Sequence, residues 1–154
     1  MKEVFNNIDL PFNANTFDII SNRHESFDAG EVRRILKDGG YFITQQVGSR
    51  NNNDLSKKLL DNFQPQCPEY NLKHQKELLI NEGFNIVFEN EVLTQTFFYD
   101  LGALVYLAKI IEWEFPGFSV DTCFDKLCDL QTDLIEKGYI SAIQHRFIIV
   151  AQKV

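Results

Sequence analysis

The chain has 154 residues and a mass of 17.9 kDa, the size of one ordinary domain, and 44% of its residues are hydrophobic, which suffices for a real core and excludes wholesale disorder. Its formal net charge of −7 and isoelectric point near 4.9 repel a polyphosphate backbone rather than gather one, so nucleic acid is not expected as a partner. The densest basic group, Arg33, Arg34 and Lys37, reads as surface charge on a helix.

"EVFNNIDLPF" (3–12) begins with a short extended piece and ends in a turn marked by Pro11 and the polar run Asn13-Ala14-Asn15. "TFDIIS" (16–21) follows as a buried strand, since Phe17, Ile19 and Ile20 favour β structure and turn formers flank them. Asp28 with Glu31 three residues later has the form of a capping box. The helix it opens carries Val32, Ile35 and Leu36 on one face and is expected to stop at Gly39-Gly40. "YFITQQVG" (41–48) is the second strand. Strand, helix and strand in this order predict a right-handed crossover between parallel neighbours.

Asp54 can cap a helix carrying Leu55, Leu59, Leu60 and Phe63, ended by Pro65 and Pro68. A helix over 71–82 places Leu72, Gln75, Leu79 and Glu82 on one line, with Leu78 beside it and Gly83 as its stop, before a strand around 84–92. From Phe97 the positions 97, 101, 104, 105, 108 and 111 fit a helix whose other side carries Tyr106, Leu107, Ile110 and Trp113, so it calls for cover on most faces. "EFPGFS" breaks it. The next helix runs to Lys137 with Val120, Phe124, Leu127, Leu134 and Ile135 inward and Gly138 as its stop, and "HRFIIVAQKV" closes the chain as a strand.

Cys67, Cys123 and Cys128 are odd in number and form no C-x-x-C pair, which fits a reducing, cytoplasmic setting with buried thiols. No charged-then-apolar leader opens the chain, and its longest apolar stretch, 97–111, is interrupted by Asp100 and Lys109. Neither a signal peptide nor a membrane span is expected. His24, His74 and His145 lack the supporting spacing of a metal site.

The pieces "LPFNANTFDIISNRHESFD", "EVRRILKDGGYFITQQVG", "LLINEGF" and "RFIIVAQK" together resemble the C-terminal two thirds of a class I methyltransferase dependent on S-adenosylmethionine. Phe17-Asp18-Ile19 matches that family's fourth strand and Leu10-Pro11-Phe12 the turn before it. Leu36-Lys37-Asp38-Gly39-Gly40 matches the run before its fifth strand, with Asp38 where the family carries Pro. The resemblance implies a truncated Rossmann-like α/β sheet, mostly parallel, with an antiparallel C-terminal strand pair. It makes 1–154 a single partial domain with a helical insertion at about 97–140 that could serve as a lid or substrate wall.

The family's glycine-rich loop after the first strand and its ribose-binding acid after the second have no counterpart, since the eight glycines contain no G-x-G. The chain therefore resembles a methyltransferase without its N-terminal cofactor half, expected to be inactive alone. Loss of the family's first strand would leave "TFDIIS" with an open edge, which invites a homodimer or a rearranged edge.

Ligands of open α/β sheets gather at the carboxyl ends of strands, which directs attention to "SNRHESFD". By resemblance, Asn22, Arg23 and Asn6 would contact cofactor, and Glu25 and Gln45 the acceptor. His24 would be a catalytic base or orient the acceptor, although methyl transfer depends chiefly on alignment. The partners implied are S-adenosylmethionine and a small-molecule acceptor, with no nucleic acid and no membrane. Two rival readings remain: a non-catalytic, self-associating or protein-binding remnant, and an unrelated α/β binding domain.

Overall fold

A computed structural model describes residues 10–154, which fold as two compact units. The first comprises described residues up to Gly48 with Glu69–Val92 and Arg146–Val154. The second comprises Ser49–Pro68 and Leu93–His145. The elements in chain order are β1 (Phe17–Arg23), α1 (Ala29–Ile35), β2 (Leu36–Val47), α2 (Asn53–Leu59), α3 (Leu72–Asn81), β3 (Phe84–Phe98), α4 (Leu101–Ile110), α5 (Phe124–Lys137) and β4 (Ile140–Lys153). The sheet order is β1-β2-β4-β3, so the last strand in sequence is inserted between β2 and β3. β1 and β2 are parallel, as the crossover predicts, while β4 runs antiparallel to β2 and also to β3. Among the described residues no helix is long and apolar enough to cross a membrane.

In the first unit, alternation sorts β2 cleanly. Phe42, Thr44 and Gln46 point to the buried face, and Ile43, Gln45 and Val47 to a half-buried one. Phe42 packs with Phe147, Ile149 and Ala151 of β4, Val32 and Leu36 from α1 and its cap, and Leu79 of α3. Each such side chain contributes about 1.5–3 kcal/mol of burial. α1 opens as expected, Asp28 accepting from the Glu31 N–H at 2.7 Å. It closes earlier than expected, at Leu36, and Gly39-Gly40 lie inside β2 rather than stopping a helix. The glycines serve the strand: the register jumps from Phe17 opposite Leu36 to Ile19 opposite Tyr41, with Gly39 at φ 79° and Gly40 against backbone.

α3 follows its forecast, with Asn71 as N-cap and Gly83 at φ 80° beyond its end, burying Gln75 and Leu79. Lys153 is buried and donates to the Leu36 carbonyl (2.8 Å) and Asn15 Oδ1 (2.7 Å), beside Asp38 (3.0 Å). Along β1 the described chain is paired on the β2 side alone, and Ile19 is 61% exposed.

The second unit has its own core of Leu55, Leu59, Leu104, Phe115, Leu127 and Ile140 with smaller neighbours. α4 starts at Leu101 and not at Phe97, because Phe97 and Phe98 continue β3 and Asp100 caps the helix by accepting from the Ala103 N–H at 2.8 Å. Its expected cover is partial: Leu104 and Ala108 are buried while Tyr106 and Ile110 are exposed. On α5 the inward residues are Leu127 and Leu130, and Phe124 and Ile135, expected inward, face out.

α2 ends at Leu59, short of Phe63, and its N-cap is Asn52, at φ 55°. Asp54 instead accepts from the Ile143 N–H at 2.9 Å. Asn51 and Asn52 are buried against the Glu114 carboxylate, to which both amides donate, and His145 donates its N–H to Asn51 Oδ1 at 3.1 Å. This is the polar loop of the sequence turned into an interior brace.

Candidate functional site

At the carboxyl ends of β1 and β2 the first unit encloses a cavity of about 460 Å3. Ile20, Val32, Ile35 and Phe42 form its apolar floor, and Asn22, Glu25, Asp28 and Glu31 stand among its polar lining, which holds no Lys, Arg or His among the described residues. Asp28 and Glu31 have local duties: Asp28 caps α1, and Glu31 receives Arg34 at 2.6 Å and the Leu10 N–H at 2.7 Å. Those Arg34 bonds, chiefly, hold the Glu31 carboxyl below the usual range.

A polar network anchors the loop. Gln46, buried on β2, has two Nε2 hydrogens for three nearby acceptors, the Glu25 carbonyl (2.9 Å), Thr44 Oγ1 (2.7 Å) and Asn22 Oδ1 (2.5 Å), and Thr44 donates to the same Asn22 oxygen at 3.0 Å. The His24 N–H extends the ladder to the Gln45 carbonyl at 2.9 Å, with His24 in the left-handed region at φ 57°. The 22–25 stretch is thus tied to β2 from two successive residues.

No protein-family model matches the sequence, and no curated protein matches it. Among solved structures, a protein of Bacillus halodurans given as a candidate methyltransferase superposes with a TM-score of 0.55 over 94% of this chain, at 13% identity. The fold is that of class I methyltransferases. The YcgJ protein of Bacillus subtilis (TM-score 0.49, 17% identity, 94% of this chain) is also similar. So is Haemonchus contortus phosphoethanolamine N-methyltransferase 2, solved with phosphomonomethylethanolamine and S-adenosylhomocysteine (TM-score 0.42, 16% identity, 92% of this chain). The chain spans 67%, 67% and 34% of the lengths of these three proteins.

Within this methyltransferase fold the predicted residues separate. Asn22 and Glu25 line the cavity together. Arg23 and Gln45 do not, because alternation along β1 and β2 turns them to the face opposite Asn22, Thr44 and Gln46. Asn6 lies outside the described residues. Thr44 and Gln46 were not foreseen as site residues; the signal was the strand's own period, which puts 44 and 46 on the face of Asn22.

His24 is exposed at the loop and lies outside the cavity lining. Partial desolvation first, then the positive charges of Arg146 and Arg23, hold its imidazole below the ordinary 6.5. The folded state therefore favours the neutral ring. As pH falls from 6.5 to the folded midpoint the unfolded chain protonates first, so this group's contribution to stability declines through that window and stays lost below it. In an NMR titration the His24 midpoint is expected below 6.5 and should rise in Arg146→Gln, which removes a repelling charge. A midpoint indifferent to that substitution would refute the assignment of cause.

Proposed function

We propose that the chain is the acceptor-side part of an S-adenosylmethionine-dependent methyltransferase acting on a small molecule. The observation that carries the reading is the cavity at the strand ends of a class I methyltransferase fold, with Asn22 and Glu25 in its wall. The cavity does not suit the cofactor itself. Among the described residues its lining has carboxylates but no cation for the cofactor's own carboxylate, and no glycine that would let backbone approach. The cofactor would supply an electrophilic methyl group. The residues here would seat the acceptor: the apolar floor excludes water, Asn22 and Glu25 orient its polar end, and neutral His24 stands at the mouth as a proton acceptor. Arg23 and Gln45 face the other side of the sheet end, where Arg23 is suited to an anionic cofactor group.

Calorimetric titration with S-adenosylhomocysteine tests this, run on this chain and on the product of the whole open reading frame. Expected are no saturable heat below millimolar ligand for the chain, which is inactive alone, and micromolar binding for the whole product. Micromolar binding by the chain alone would overturn the division of labour, and absence from both would overturn methyl transfer. The exposed Ile19 on the outer strand favours the rival reading, a self-associating domain without catalysis, whose signature is a two-chain mass with no such binding.

A further inference from the structure

The hydrogen-bond chain behind the cavity has one fixed end, from which the orientation of its two amides follows. The Glu25 backbone carbonyl can only accept, so the Gln46 atom 2.9 Å away is the amide nitrogen. That nitrogen also lies 2.5 Å from Asn22, so the Asn22 atom facing it is Oδ1. With one Gln46 hydrogen on the Glu25 carbonyl and the other toward Asn22, Thr44 Oγ1 turns its own hydrogen to the same Oδ1 at 3.0 Å. Asn22 Oδ1 is then saturated from within. Its Nδ2 meets no partner among the described residues, and Asn22 lines the cavity.

We propose that Asn22 Nδ2 is the donor with which the cavity reads its ligand, and that Gln46 and Thr44 are positioning residues that hold the amide in this orientation. The inference rests on the acceptor-side reading above and names the acceptor's class: a molecule with an apolar body and an uncharged hydrogen-bond acceptor, such as a carbonyl or hydroxyl oxygen. The floor of Ile20, Val32, Ile35 and Phe42 takes the body. An anion is rejected because Glu25, Asp28 and Glu31 share the wall with Asn22 and the described lining has no cation to offset them.

The test is an amide-resolved NMR titration of the labelled chain with benzamide and with benzoate at neutral pH, two probes of the same size that differ in charge. Benzamide is expected to shift the Asn22 side-chain amide pair with millimolar saturation, and benzoate to leave it unmoved. In the free chain the Gln46 amide protons should exchange slowly with solvent and those of Asn22 fast, and benzamide, not benzoate, should slow the Asn22 pair, a signature that a merely structural role would not produce. Asn22→Ala and Gln46→Met are each expected to weaken benzamide binding about tenfold, the second without removing the donor.

Benzoate binding as tight as benzamide, no binding of either probe, or undiminished binding in Asn22→Ala overturns the proposal. If a variant does not fold, the shift and exchange pattern of the unsubstituted chain decides alone. These spectra need no cofactor, so a failure of S-adenosylhomocysteine to bind and a failure of this inference are separate results.

Discussion

Phe42→Ala is expected to lower the stability of the first unit by about 3–5 kcal/mol, the largest effect of any single substitution considered, read by urea unfolding and by loss of hydrogen-exchange protection along β2. The ring is fully buried, meets Phe27 edge-on with centroids 4.9 Å apart, and packs against the α1, α3 and β4 side chains of its cluster. Truncation removes its transfer free energy and also enlarges a cavity already present beneath the strand ends, so little surrounding material can relax into the gap. Against a total stability of about 5–15 kcal/mol for an ordinary domain, such a loss is decisive. A cost below about 1 kcal/mol would mean that α1 collapses onto the sheet, and the cavity would then close.

Gly40→Ala is expected to cost about 1–3 kcal/mol by overpacking. A methyl group there would stand 2.9 Å from the Asp18 carbonyl oxygen, the Leu36 Cγ and the Lys37 carbonyl oxygen. Two of the three are backbone, so relief requires the register jump between β1 and β2 to open. Gly39 next to it makes the control: its φ of 79° demands a left-handed residue but a side chain would meet nothing within 4 Å. Gly39→Asn, which tolerates that conformation, should cost less than Gly40→Ala. Equal midpoints in denaturant for the two variants would show that space at position 40 is not the constraint.

Local chemistry made much of this fold legible in advance. The Asp28 cap, the 71–82 helix with its Gly83 stop, the Gly138 stop and the parallel β1–β2 crossover follow from capping, period and turn chemistry, and the structure has them. Misreadings arose where a residue's role is decided across the fold. Gly39-Gly40 carry a helix-stop signal, yet what they serve is close approach of β1 to β2. Asp100 ends a strand and caps a helix at once, which moved the boundary from 97 to 101. Nothing local to Asn51 and Asn52 announces Glu114, more than sixty positions away, to which both amides donate. At the site, the location was legible from the strand end, but the choice between Gln45 and Gln46 depends on which face α1 covers, and period alone cannot tell one face from the other.

The register jump at the foot of β1 also sets how this strand can meet another chain. Regular pairing with β2 runs only from Ile19 to Arg23, so the lower part of the edge is kinked and guarded by the Asp18–Lys37 ion pair. An incoming strand therefore finds a template of a few residues, too short to seed open-ended stacking, and that template ends at Arg23, one residue past Asn22 in the cavity wall.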